Sequence, residues 1–361
     1  MKPSDKVHPA LAALPRPTGW FGSDNQSGAH PAVLDAIQRA NSGYVTGYGD
    51  DPYTESAHEL FRERFGPDTE MLLTFNGTGA NVTALQALLP KYGAVICAGG
   101  AHIDVDETGA PERILGAKLI DVPTPDGKLR PEQLDDYLHF IGVQHHVQPA
   151  VVSITQSTEL GTLYSVDEIG AIADAAHRHG MLLHLDGARI ANAVAALACD
   201  PRAITFGAGV DAISFGGTKN GLVYGEAVLF KDAKTANGAI YLRKQATQLA
   251  SKMRFISAQM IAILQDDLWL RTAGHANAMA ARLDAAVRNI NGVQLDRVTV
   301  VNSLFPIVPE AAIEPLQAWV PHYTWNESIQ QVRWVCSFDT TDDDVDQFAA
   351  GVAAVIGAVT R

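Results

Sequence analysis

Cysteine is scarce: three in 361 residues, at Cys97, Cys199 and Cys336, with no CxxC pair. That argues against a disulfide framework and a structural zinc site, and it fits a reducing, cytoplasmic setting. Cationic residues are also few. Lys and Arg total 27 against 40 Asp and Glu, a formal charge of −13, which repels phosphate backbones and sets nucleic acid aside as a partner. Long apolar runs are missing. The longest stretch without Asp, Glu, Lys or Arg, 137–158, contains His139, His145, His146 and Pro149, so no membrane span is expected. The apolar run 10–14 is too short and too hemmed by prolines for a signal peptide. No GxGxxG opens the chain, and no Gly-Lys-Ser/Thr follows its glycine-rich turn, so dinucleotide and P-loop sites are not expected. His30, His58, His145, His146 and His322 have no ligand spacing, and no metal is expected.

What is present is the composition of a folded enzyme-sized chain: 47% hydrophobic and 19% charged residues, incompatible with wholesale disorder. Short apolar runs alternate with helical patterns. Strands are predicted at 71–75, 94–98, 118–122, 150–155, 181–186, 212–215 and 227–230. Helices are predicted at 79–89, 131–140, 166–179 (ended by Gly180) and 189–197. This alternation indicates a mostly parallel sheet covered by helices, an α/β fold. A helical stretch at 237–265 precedes a helix at 267–290. Shorter strands at 293–295, 303–308 and 331–338 and a closing helix at 342–359 follow. The expected organisation is an N-terminal arm over 1–40, a large domain over 41–265 and a small C-terminal α/β domain over 266–361.

Three segments carry chemistry. Asn76-Gly77-Thr78-Gly79-Ala80-Asn81 lies between a strand and a helix, where backbone N–H groups and a Thr hydroxyl make a phosphate cradle. Asp186 stands at the C-terminal end of an apolar strand, where open α/β sheets place ligands; alone it could be a helix N-cap. Lys219, in Gly216-Gly217-Thr218-Lys219-Asn220-Gly221, follows a short strand in a turn of small residues, where partial desolvation frees its amine. A cradle, then an Asp, then a Lys 33 residues further on is the set that pyridoxal phosphate requires. The cradle anchors its phosphate, the carboxylate its pyridine nitrogen and the amine its aldehyde carbon.

With those pieces in place, the chain resembles the L-threonine aldolases, pyridoxal-phosphate enzymes of fold type I in the aspartate aminotransferase superfamily. The matching segments are Phe21-Gly22-Ser23-Asp24-Asn25, Tyr48-Gly49-Asp50-Asp51-Pro52, Gly77-Thr78-Gly79-Ala80-Asn81, Ala101-His102, His184-Leu185-Asp186-Gly187-Ala188-Arg189, Gly217-Thr218-Lys219-Asn220-Gly221, Ser251-Lys252-Met253-Arg254-Phe255 and Arg333. They span most of the chain in the family's order. The segments Ser153-Ile154-Thr155-Gln156 and Lys219-Asn220-Gly221 resemble the low-specificity bacterial branch, which includes phenylserine aldolases.

The resemblance implies retro-aldol cleavage of L-threonine, L-allo-threonine or a related β-hydroxy-α-amino acid to glycine and an aldehyde. It implies Lys219 as the Schiff-base lysine, Asp186 on the pyridine N–H, and Gly77 and Thr78 on the phosphate. His102 stacks on the cofactor ring near the substrate's β-hydroxyl. Ser23, Arg189 and Arg333 bind the substrate carboxylate, with Arg189 also beside the cofactor. Lys252 and Arg254 reach the phosphate from a neighbouring subunit of a homodimer or homotetramer with shared sites. The chain departs from the family in one place. Many relatives carry Glu-Asn-Thr-His where this chain reads Thr155-Gln156-Ser157-Thr158-Glu159, so a second histidine is missing; Glu107, five residues after His102, is a candidate helper. Alternatives on the same scaffold are a preference for phenylserine, a β-eliminating lyase or an aminotransferase. The latter two break Cα–H with Lys219 as base.

Overall fold

The computed structural model describes residues 7–360. The chain forms two compact units, one over 29–269 and one made of the residues up to Gly28 together with those from Leu270 onward.

The larger unit is built on a seven-stranded sheet. Its strands are β1 (Glu70–Thr74), β2 (Gly93–Ala98), β3 (Lys118–Val122), β4 (Gln148–Thr155), β5 (Leu182–Gly187), β6 (Ala212–Gly216) and β7 (Glu226–Phe230), in the order β1-β7-β6-β5-β4-β2-β3. Pairings from β6 through β5, β4 and β2 to β3 are parallel. Strand β7 runs antiparallel to both β6 and β1, so β1 points the same way as the parallel five. The C-terminal ends of six strands and the N-terminal end of β7 therefore share one edge. Nearly every residue of β2, β5, β6 and β7 is buried, as expected for strands covered on both faces.

The helices start and stop where side chains meet their ends. Gly77–Leu88 is capped by Asn76, whose side chain accepts from Gly79 N at 2.8 Å. Val166–Arg178 opens on a reciprocal Ser165–Glu168 capping box, and Gly180, at φ 74°, follows its end as expected. Pro52–Phe65, for which the sequence reading has no element, is capped by Asp51 and carries Pro52 at its first position. Its Phe61 and Phe65 pack edge-on against Phe215 of β6, with ring centroids 5.1 and 5.9 Å away.

Several expectations differ from the structure. Residues 31–40, expected within a loop-rich arm, form the helix Pro31–Ala40, capped by His30 Nδ1. Residues before Gly28 belong to the smaller unit. Thr18 N and Gly19 N donate to Asp344 Oδ1, and Phe21 stacks on Phe348 at 4.4 Å. The expected helix over 131–140 is one α-turn, Pro131–Leu134, followed by a 3-10 segment, Asp135–Phe140. The stretch 237–265 is two helices, Ala239–Gln245 and Arg254–Leu264. Thr247 takes φ 61° between them, and the Gln248 side chain turns away to accept from Phe75 N.

The smaller unit has a three-stranded antiparallel sheet in the order β8-β10-β9: β8 (Ser303–Leu304), β9 (Tyr323–Asn326) and β10 (Gln331–Val335). The strand expected at 303–308 is shortened to β8, and 293–295 contributes only a bridge between Gln294 and Ile307. The helix Leu268–Val287 from Leu270 onward, with Glu310–Trp319 and Asp342–Val359, completes it. Its core gathers Phe21, Leu283, Leu316, Trp319, Trp334 and Phe348. Among the described residues no helix is long and apolar enough to cross a membrane.

Candidate active site

The shared sheet edge of the larger unit collects the residues singled out above. Thr74 of β1 leads into Gly77 and Thr78; Ala98 of β2 leads to His102; β5 carries Asp186; β6 leads to Lys219. Four loops that are distant in sequence thus open onto one line.

Asp186 is buried and held from two sides. Its Oδ1 accepts from Ala188 N at 2.9 Å, and its Oδ2 accepts from Asn81 Nδ2 at 2.9 Å. The turn after it is tight. A Cβ on Gly216 would stand 2.2 Å from the Ala188 carbonyl oxygen, so only glycine lets β6 pass. Two residues earlier on the same face lies His184, wholly buried, with Ser153 Oγ 2.9 Å from Nδ1 and Ser214 Oγ 3.0 Å from Nε2. Burial brings its pKa down to about 4, against the pull of Asp186, so the ring is neutral and exchanges hydrogen bonds with both hydroxyls.

Asn81 links Asp186 to the histidine. The same Nδ2 also donates to Glu107 Oε1 at 2.9 Å, and His102 Nδ1 donates to that oxygen at 2.8 Å. The Glu107 hydrogen bond raises the His102 pKa above its ordinary value, against burial; the Asp186 charge adds to the rise and Lys219 opposes it. Glu159, from the segment where the second histidine is missing, accepts from His102 N at 2.9 Å and from Thr155 Oγ1 at 2.8 Å. Burial raises its pKa. Lys219 lies half-buried in the 3-10 turn Thr218–Asn220.

Gly77 and Thr78 open their helix, and nothing lies within 4 Å of a Cβ placed on Gly77. Arg189 is the N-cap residue of the helix Ile190–Leu197, immediately after the Asp186 turn. An amine, a buried carboxylate and a helix N-terminus, each on a separate loop of one edge, fit pyridoxal phosphate in the chemistry of the donor set.

The remaining expected residues stand on other elements. Lys252 is exposed in the turn before Arg254–Leu264, and Arg254, the first residue of that helix, donates Nη1 to the Gly43 carbonyl at 3.0 Å. Neither sits within a long helix, as expected from sequence, because the chain breaks at 246–253. Ser23 and Arg333 belong to the smaller unit and neighbour each other there. Arg333 Nη2 donates to the Gly22 carbonyl at 3.3 Å, and its guanidinium lies over the rings of Tyr323 and Trp325 at 5.6 and 5.0 Å. Asn81 as a bridge, Glu159, and the buried Glu226 at the start of β7 carry no signal in the sequence that singles them out. Glu107 is reached only through its spacing from His102.

Comparison with known proteins gives a consistent result. Residues 21–308 match the family described as beta-eliminating lyase. The chain is 43% identical to low specificity L-threonine aldolases from a Pseudomonas species and from Pseudomonas aeruginosa. Each alignment covers 94% of this chain, and 98% and 99% of the respective relatives. A Leishmania major threonine aldolase structure superimposes with a TM-score of 0.87 at 31% identity, over 93% of this chain and 99% of that one. Aspartate aminotransferase from Thermus thermophilus shares the fold, with a TM-score of 0.66 at 14% identity, over 91% and 89% of the two chains.

Proposed function

The chain belongs to the beta-eliminating lyase family, on its L-threonine aldolase branch, and from that premise we propose how its residues divide the work. The protein is a carbon–carbon lyase that cleaves L-threonine, L-allo-threonine or a related β-hydroxy-α-amino acid to glycine and an aldehyde. The observation that carries this reading is the hydrogen-bonded line from Asp186 through Asn81 and Glu107 to His102, on the sheet edge that also bears Lys219.

The Lys219 amine would hold pyridoxal phosphate through its aldehyde, and the ring would supply a sink for the electron pair left at Cα. Asp186, its two oxygens fixed by Asn81 and Ala188 N, would hold the proton on the ring nitrogen. Gly77 and Thr78 hold the phosphate at their helix N-terminus. Ser23, Arg189 and Arg333 bind the substrate carboxylate and so set which Cα bond is aligned for cleavage. Glu107 occupies Nδ1 of His102, which leaves Nε2 to take the β-hydroxyl proton as the Cα–Cβ bond breaks. Such general-base assistance contributes ~10²–10⁴-fold.

Lys252 and Arg254 serve the phosphate of a second copy of the chain. Support comes from exposed aromatic residues of the larger unit: Tyr44, Tyr48, Phe75, Tyr224 and Tyr241. The Phe75 and Tyr224 rings stack at 6.3 Å and Lys244 lies over the Tyr48 ring at 5.5 Å, and exposed rings that adjoin in this way suit a contact surface. Three free cysteines, two of them buried, fit a cytoplasmic protein.

The test measures glycine and aldehyde released from L-threonine, L-allo-threonine and L-phenylserine. Equimolar glycine and aldehyde from at least one of them is expected. Ammonia and a keto acid without glycine would replace this reading with β-elimination.

A further inference from the structure

The turn that carries Lys219 cannot be capped from within its own segment. It follows Gly216 and Gly217, and neither position accepts a side chain: a Cβ on Gly217 would stand 2.7 Å from the Gly225 carbonyl oxygen, and Gly216 is closed by Ala188. The N–H groups that open the Thr218–Asn220 turn therefore need an acceptor from elsewhere. Strand β7 supplies it. Glu226 opens that strand in register with Gly216, and its carboxylate accepts from Gly217 N, with the N–H and hydroxyl of Thr218 also acting on it to lower its pKa. The residue is only 6% exposed.

A neutral amide could accept the same kind of bond without the cost of burying a charge. What the carboxylate adds is its charge, and the charged group acting on it most strongly is Lys219, the residue that follows its two donors. Other ionisable groups on neighbouring elements include Arg243, which donates to the Leu73 carbonyl of β1, and Arg254, on the helix whose Ile256 abuts Gly225, while Glu70 of β1 stands at the far end of the pairing, opposite Phe230. His102 joins the same set, since both Lys219 and Asp186 act on it. The helix Gly77–Leu88 presents no ionisable residue. Burial pushes the Glu226 carboxyl up to about 7, while the bonds from the turn and the Lys219 charge hold it from rising further.

We propose that Glu226 is a positioning residue that caps the Lys219 turn from the adjacent strand and holds the Lys219 nitrogen in its protonated form. This rests on the reading of Lys219 as the residue joined to the cofactor. The carboxylate accepts from Gly217 N, two residues before Lys219, and a negative charge held at that turn favours the cation, so removing it lets the proton leave at lower pH.

The experiment compares the wild-type holoenzyme with Glu226→Gln, which keeps an acceptor and removes the charge. The first readout is visible absorbance of the lysine-linked cofactor against pH. The midpoint is expected about one unit lower in E226Q, the scale of a single close charge. An unchanged midpoint overturns the proposal. The second readout is the thermal midpoint of the cofactor-free proteins against pH. A folded-state pKa raised from 4.5 to about 7 means the native state binds the extra proton in that window, so wild type loses stability as pH rises through it. E226Q should gain on wild type over the same range; a pH-independent difference would reduce Glu226 to a neutral cap and overturn the electrostatic role. Should E226Q not fold, Thr218→Ala carries the test. It removes one donor to the carboxylate and should move the absorbance midpoint in the same direction by less, and no movement overturns the proposal. If wild type shows no borohydride-fixed cofactor at Lys219, the site reading fails, while the thermal comparison still decides the role of Glu226.

Discussion

His102 has a raised pKa chiefly because Glu107 accepts its Nδ1–H, and this fixes the sign of a pH effect. A base must be neutral to take the β-hydroxyl proton, so kcat/KM rises with pH through the His102 pKa. In Glu107→Gln the acceptor persists without its charge, the ring loses its proton more readily, and the rise should move about one unit toward lower pH. Measuring kcat/KM against pH for the two proteins checks this; an unmoved limb would assign the titration to another group. Lys219, Asp186 and the Gly77–Thr78 turn were legible in the sequence because each combines a strand end with a residue type that has few other uses there. Asn81 and Glu226 were not. Their roles depend on β7 inserting between β1 and β6, and on the helix after β1 reaching β5, and neither adjacency follows from chain order.

At the scale of elements, the long parallel strands declared themselves by apolar runs, and the capped helices by their end residues. The helix Glu310–Trp319 was hidden because Pro315 inside it reads as a breaker. The break after Ala239–Gln245 was hidden because its cause is tertiary: the Gln248 side chain caps Phe75 N from a distant segment. Packing within the smaller unit yields a paired prediction on the helix Asp342–Val359. A Cβ on Gly351 would stand 2.0 Å from the ring of buried Trp319, whereas one on Gly357 meets nothing within 4 Å. Alanine gains up to about 1 kcal/mol of helix propensity at either site. Overpacking a filled core costs about 1–3 kcal/mol, so it wins at position 351. Gly351→Ala should lower stability and Gly357→Ala should raise it, as measured by denaturant unfolding. Equal effects would mean that the Trp319 ring yields without cost.

At the scale of the whole molecule, the question is whether one chain completes its own site. Lys252 is exposed, and Arg254 engages the Gly43 carbonyl; this loop also carries the exposed Tyr44 and Tyr48. Cations beside exposed rings suit a surface that meets a second copy, where they would neutralise a phosphate held at the other chain's Gly77 and Thr78. Cofactor binding and association are then linked, because a ligand that binds only the assembled form stabilises it. Lys219→Ala and Arg254→Ala should each be inactive alone. Mixed under conditions that exchange subunits, they form hybrid dimers in which one site carries both defects and the other carries neither. Random pairing puts half of the dimers in the hybrid form, so recovery should approach about a quarter of wild-type activity for a two-fold assembly. Glycine release from the mixture, set against the hybrid fraction counted by mass spectrometry, measures it. Hybrids that form without recovering activity would place Arg254 at the site of its own chain and leave the aromatic surface without a part in catalysis.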